Sequence, residues 1–462
     1  MSLLDAARTQ AQQLFSPGGR DGLSSAERRD PMGLLVYGLN RLAQTDLLDR
    51  VGLRKQTEDG VFKITSAGFK TIGATSRAFT RTGSSKKQGT RSAATRARGV
   101  FDLTPTDDEQ MLVDVVTEFA EEVVRPAATG ADDACAAPAE LLAATLEIGL
   151  PILGVPESLG GIAEERTAMA GTLVHEALAH GDMGLAVAAL APGAVATALS
   201  LWGTEEQQQT YLPAFTGQSV PAAALALNEP TVLFDPARPA TVATRTDDGF
   251  VLDGVKSMVP RGPDAELFVV GASLDGVPAL FVVESTTPGI VIESEPSMGL
   301  RAASLSRLRL DRVEVGEIAL LGRVDGSTHA EAVRLSRLAW CALAVGTGQA
   351  VLDYVTPYVK EREAFGEPIA HRQSVAFMVA NIAIELQAMR LVTYKAAGRV
   401  AQGQDAGREI ALARQLCATK GMQIGLDGVQ LLGGHGFVKE HPVERWYRDL
   451  RAIGLTEGGV MV

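Results

Sequence analysis

Two glycine-bearing turns and one carboxylate carry the residue types that could do chemistry in this chain. The first turn reads Lys360-Glu361-Arg362-Glu363-Ala364-Phe365-Gly366-Glu367-Pro368-Ile369, followed by His371-Arg372-Gln373. An arginine beside an aromatic ring at a helix end suits an anionic group with a flat ring attached. The same residues also read as a helix stop, with Gly366 as cap, Pro368 as breaker and Arg362 on the last carbonyls. The second turn, Gln430-Leu431-Leu432-Gly433-Gly434-His435-Gly436-Phe437, lets backbone amides approach a ligand closely at Gly433 and Gly434. Alone, it is equally an interhelical turn. The two together are more specific than either. Glu457 follows in Leu455-Thr456-Glu457-Gly458-Gly459; a lone glutamate before glycine says little by itself.

Other chemistries find no support. The six histidines lack zinc-site spacing, and His175 and His180, five apart, splay on a helix. No metal site is expected. There is no GxGxxG after a strand, no GxxxxGK[ST] and no GxSxG. Cys135, Cys341 and Cys417 are far apart, which disfavours a disulfide framework and fits a reducing cytosol. The opening Met-Ser-Leu-Leu-Asp has no signal-peptide pattern, so a cytoplasmic location is expected. Met183 to Trp202 is a run of 20 uncharged residues, long enough to span a bilayer. Its alanine content and the central Pro192-Gly193 predict a buried helical hairpin in a soluble domain instead.

The elements that must position these residues follow from pattern. Residues 1–100 carry 17 Lys/Arg and 8 Asp/Glu, and no acid occurs from Gly60 to Val100. They read as an appended segment: a helix over Gly33 to Arg50, then a Ser/Thr/Gly/Lys/Arg linker from Thr80 to Gly99. The basic stretch 60–100 offers a peripheral contact with a membrane or an acidic partner. No aromatic interleaves the Lys/Arg of residues 80–100, which argues against nucleic acid. Residues 101–220 are helical in pattern, with Leu112, Val115, Val116, Phe119, Val123 and Val124 as one apolar stripe ending at Arg125-Pro126. Residues 221–325 hold short apolar strands between turn signals, as in Leu267-Phe268-Val269-Val270 and Ala279-Leu280-Phe281-Val282-Val283. Residues 326–462 return to long helical periodicity. The fold class is an α+β multidomain chain: helical domain, β-domain, helical bundle.

The stretch from about Leu103 to Val462 resembles the acyl-CoA dehydrogenase family. Gly149-Leu150…Val155-Pro156-Glu157, Gly160-Gly161, Tyr211-Leu212-Pro213, Asn228-Glu229-Pro230, Met298-Gly299-Leu300-Arg301, Glu361-Arg362…Phe365-Gly366, the Gln430 turn and Arg448-Asp449 fall in the family order. The resemblance implies FAD bound partly across the interface of an oligomer, a tetramer or dimer. It implies an acyl-CoA substrate and an electron-transfer flavoprotein-like acceptor. Carried over, Glu457 is the base that removes the thioester's α-proton, and Arg337 lies beside substrate and base. Arg362, Phe365 and Gln373 reach the FAD diphosphate and adenine, with Gln430, Gly433 and Gly434 in the same interface site. Ser336 occupies the place where some relatives carry the base.

The flavin face departs from the family pattern. The threonine that contacts flavin is Asn228, and the usual Gly-Ser pair is Leu233-Phe234, two large apolar residues that would fill part of the channel. The aromatic behind the flavin ring is Met258, and a nearby threonine is Pro260. Around the base, the usual aromatic is Thr456. A reshaped pocket for an unusual acyl-CoA accounts for this. So does a non-catalytic subunit of a hetero-oligomer, or a scaffold docked by the basic arm. The retained Glu457 favours the enzyme.

Overall fold

The computed structural model describes residues 105–161, 167–217 and 219–460. The appended segment, with its expected helix, linker and basic arm, lies outside the described residues. Thr106 starts the first helix, α1 (Asp107–Phe119). Its hydroxyl accepts from the Glu109 amide at 3.2 Å, and the Glu109 carboxylate accepts from the Thr106 amide at 3.0 Å. This capping box sets acids against the positive end of the helix. The expected stop at Arg125-Pro126 is absent. A π turn, Ala120–Val124, leads directly into α2 (Arg125–Ala134). The wider turn resets the hydrogen-bond register, and Pro126 falls where a missing N–H costs little. Val116, Phe119 and Val124 are buried, but Val115 and Val123 of the expected stripe are exposed.

Next come α3 (Ala139–Glu147), α4 (Ala168–Gly181), α5 (Met183–Trp202) and α6 (Glu205–Phe215). The uncharged stretch is one continuous helix, not the hairpin expected from Pro192-Gly193. Asp182 caps it, accepting from the Leu185 amide at 3.0 Å. A proline inside a helix costs about 3 kcal/mol. Burial on all faces offsets this: Leu185, Ala189, Val195 and Leu199 have almost no exposed surface.

The sheet comprises β1 (Ala223–Ala226), β2 (Val242–Arg245), β3 (Gly249–Val259), β4 (Leu267–Leu274), β5 (Val277–Glu284), β6 (Ile290–Ser294), β7 (Ser306–Gly316) and β8 (Leu320–Leu321). Its order is β6-β7-β3-β2-β4-β5-β8, with β1 parallel to β4. Asp275 and Gly276, both at positive φ, join β4 to β5 in register from Leu274↔Val277 to Leu267↔Glu284. Alternation sends Phe268 and Phe281 to one core with Phe250 and Leu308. The intervening Leu267, Val269, Leu280 and Val282 pack on Val195 and Leu199 of α5 and Leu212 and Phe215 of α6.

The C-terminal bundle holds α7 (Ser327–Glu361), a small hairpin of β9 (Glu363–Ala364) and β10 (Glu367–Pro368), α8 (Gln373–Ala401), α9 (Gly407–Leu431) and α10 (Val443–Leu450). Gly346 lets α7 cross α4 closely, since a Cβ there would lie 2.0 Å from the Glu176 carbonyl. By length and composition α5, α7 and α8 could each cross a membrane. The apolar windows of α5 and α7 are two-thirds buried inside the protein, whereas that of α8 is only 17% buried. Arg445 of α10 donates to Asp182 at 2.8 Å with both side chains buried, pinning α10 to the start of α5. After α10 the chain turns through Arg451–Gly454 and brings residues 455–459 back onto α7 and α9.

Candidate active site

Glu457 is 5% exposed and its backbone is left-handed, at φ +49. That conformation costs a non-glycine residue about 1–2 kcal/mol. Four side chains hold it there. The Asn228 carbonyl oxygen, in the loop after β1, accepts from the Glu457 amide at 2.6 Å. Arg337 of α7 donates to the Glu457 carbonyl through Nε at 3.1 Å and Nη2 at 2.7 Å. Arg414 of α9 donates to the same carbonyl at 3.0 Å, to the Thr456 carbonyl at 2.7 Å, and to the Gly458 carbonyl. Ser336 donates its hydroxyl to Glu457 Oε1 at 2.8 Å. Phe234 adds a backbone clamp, its carbonyl accepting from the Gly459 amide at 3.2 Å.

Oε2 is buried and has no hydrogen-bond partner among the described residues. Buried polar atoms are normally paired, so one left alone on a rigidly held carboxylate points to chemistry. Burial pushes the Glu457 pKa up, while Ser336, Arg414, Arg337 and the nearby Thr456 hydroxyl, which itself donates to the Ala452 carbonyl, pull it back. The carboxyl is thereby a stronger base than in water. Burial also pulls Arg414 down to about 10, which leaves it cationic at neutral pH.

Ser336 also belongs to the wall of a cavity of about 160 Å³ between α4, α5 and α7, closed by Leu150, Leu153 and Gly154. A second, larger cleft of about 670 Å³ lies at the two glycine-bearing turns. Arg362, Phe365, Gln430, Gly433 and Gly434 line it together with Arg372 and Ser374. Phe365 is 96% exposed, with the Arg372 guanidinium 5.5 Å from its ring centre. Gly433 and Gly434 face open space, so their backbone is accessible to a ligand. Gln373 is exposed at the first residue of α8 but does not line the cleft. Among the described residues no group of three or more His, Cys, Asp or Glu converges as a metal site.

Comparison with known proteins agrees with this layout. Residues 106–218, 224–313 and 327–460 match, in order, the N-terminal, middle and C-terminal domains of acyl-CoA dehydrogenase. An acyl-CoA dehydrogenase of Bacillus subtilis is 30% identical over 364 residues, 76% of this chain and 95% of that protein. The chain belongs to the acyl-CoA dehydrogenase family. Cyclohex-1-ene-1-carbonyl-CoA dehydrogenase of Geobacter metallireducens is 32% identical over 366 residues, again 76% and 95% of the two chains. The structure of butyryl-CoA dehydrogenase from Megasphaera elsdenii superposes with a TM-score of 0.72 at 27% identity, over 78% of this chain and 97% of that one.

Within this acyl-CoA dehydrogenase the departures from the family pattern have local explanations. Met258 adopts φ +54, and its amide donates to Glu295 at 2.7 Å, joined by the Ser257 hydroxyl at 2.9 Å. Leu233 is exposed, so only Phe234 of the expected obstructing pair is buried, with its carbonyl bonded to the loop that carries Glu457. Glu229 belongs to the scaffold: it takes the Lys256 ammonium at 2.8 Å and the Ala240 and Thr241 amides. Sequence reasoning missed Arg414 and the clamping role of Ser336. A signal for Arg414 existed. It falls on the same face of α9 as the buried Ile410, Cys417 and Gly421, where an arginine needs buried acceptors.

Proposed function

We propose that the protein carries out α,β-dehydrogenation of an acyl-CoA thioester, with Glu457 as the base that takes the α-proton. The observation that carries this reading is the unpaired, buried Oε2 of a carboxylate whose backbone and other oxygen are fully held. The cleft at the two turns fits a dinucleotide: Arg362 and Arg372 for diphosphate, Phe365 for a flat ring, and open glycine backbone for close approach. FAD, when bound, accepts the β-hydride, so that the thioester leaves as a trans-2-enoyl-CoA and the electrons pass to an electron-transfer flavoprotein-like acceptor. The amide nitrogen of Asn228 makes no hydrogen bond among the described residues and is available to donate toward the flavin. Its carbonyl oxygen meanwhile fixes the base.

The purified protein is expected to show a stoichiometric flavin absorbance band. No band, even after added FAD, would sink this reading and leave a non-catalytic subunit of a hetero-oligomer. Arg362→Ala removes a charge-assisted contact worth about 1.5–3 kcal/mol, so FAD affinity should fall by roughly 10–100-fold. Equilibrium dialysis reads this, and an unchanged Kd would remove Arg362 from the site.

The exposed face of α8 supports an oligomer. Phe377, Ile384 and Leu391 recur every seven residues and are half or more exposed. Such a stripe fits a facing helix from a second copy. Ile384→Glu should shift the species seen by sedimentation velocity toward monomer. An unchanged assembly would place the interface elsewhere.

A further inference from the structure

The cavity beside Ser336 has polar side chains in its wall, and all their hydrogens are already spent. His175 Nδ1 lies 2.5 Å from the Gly171 carbonyl, which can only accept, so Nδ1 carries the proton and Nε2 is a bare acceptor. Nε2 has no partner among the described residues. Thr172 and Thr197 donate to the carbonyls of Ala168 and Gly193 at 2.8 and 2.7 Å. Thr167 donates to Glu109 at 2.8 Å, the Trp202 indole to Glu331 at 3.3 Å, and Ser336 to Glu457. Among the described residues, what remains facing the cavity is lone pairs, and no Lys, Arg, Asp or Glu lines it. Burial also lowers the His175 pKa, which keeps the ring neutral.

Resting on the dehydrogenase reading above, we propose that this cavity receives the acyl tail and that His175 Nε2 accepts a hydrogen bond from a donor on that tail. The substrate class is then a hydroxyl-bearing acyl thioester. Its volume of about 160 Å³ matches a benzene-sized group, since an engineered apolar cavity of about 150 Å³ takes up benzene. A tail ending in a carboxylate would meet only acceptors and no cation among the described residues. Gly171 faces open space in the cavity wall, so a side chain added there occupies the tail's volume without striking backbone.

The test uses holoenzyme and two pairs of CoA thioesters: 3-(4-hydroxyphenyl)propanoyl-CoA against 3-phenylpropanoyl-CoA, and 6-hydroxyhexanoyl-CoA against hexanoyl-CoA. Kd is measured by calorimetry on the Glu457→Gln protein, which needs no turnover, and kcat/KM on the wild type. The hydroxylated member of at least one pair should bind about tenfold more tightly. His175→Leu should abolish that preference by weakening the hydroxylated member alone. Gly171→Leu should weaken all four while sparing butanoyl-CoA. Equal affinity within both pairs, an equal loss on both members in His175→Leu, or a matching loss on butanoyl-CoA in Gly171→Leu would overturn the proposal. Failure of every CoA thioester to bind would sink the dehydrogenase reading instead.

Discussion

Glu457→Gln is expected to lower turnover of acyl-CoA by about 10²–10⁴-fold while leaving the protein folded and loaded with flavin. Glutamine keeps the shape, and its carbonyl can still accept the Ser336 hydroxyl that now reaches Oε1 at 2.8 Å. The clamps from Asn228, Arg337 and Arg414 act on backbone atoms of residue 457 and are untouched by the change. What is lost is the lone pair at Oε2 to which we assign the proton. Anaerobic bleaching of the flavin by substrate reads the step directly, and undiminished bleaching would remove Glu457 as the base. The stability effect should run the other way. The Glu457 pKa is raised by burial, so the folded state holds this proton to higher pH than the unfolded chain does. That contribution is complete below the unfolded pKa and is lost as pH rises through the folded pKa. Above the folded pKa the ionised carboxylate therefore destabilises the wild type, and there the Gln variant should melt no lower. Activity needs the ionised form, so kcat/KM should rise with pH through the same folded pKa while stability falls. Glu457 is a strained, desolvated group held by its neighbours, the arrangement expected where stability is traded for function.

The order of helices, sheet and helices was legible because periodicity is local: 3.6 in the bundle, 2 in β4 and β5. Both glycine-bearing turns were legible too, since Gly366, Pro368, Gly433 and Gly434 are backbone punctuation. Where reading failed, tertiary packing overrode a local rule. Pro192 does not break α5, because burial on all faces outweighs one lost hydrogen bond. Pro126 does not end the first helix, because a π turn absorbs it. The site was legible as a carboxylate but not as a machine. Asn228 and Glu457 are 229 residues apart, and no spacing rule joins them. Ser336 read as the vacant seat of another base, and in the structure its hydroxyl donates to the Glu457 carboxylate. Phe234 read as an obstruction, and its carbonyl braces the loop that carries Glu457.

Arg445→Met is expected to give a large loss of stability from a position outside the active site. Arg445 and Asp182 meet at 2.8 Å with side chains 8% and 1% exposed. Replacing one partner of such a pair strands the other charge without water, a cost of about 3–5 kcal/mol. The stranded group is the cap of α5: Asp182 accepts from the Leu185 amide. Protonating it to relieve the buried charge would weaken the cap as well. The loss also reaches the active site, because α10 is followed by the turn that delivers residues 455–459 to Arg337 and Arg414. At an unfolding entropy of about 2.1 cal/mol/K per residue, the melting midpoint should fall by roughly 4–7 °C. The double variant Arg445→Met, Asp182→Leu separates pair from cap. If the stranded charge dominates, removing it should recover part of the midpoint despite the lost cap. A double variant no more stable than Arg445→Met would mean that the hydrogen bonds of Asp182 to α5, and not its charge, are what the pair protects.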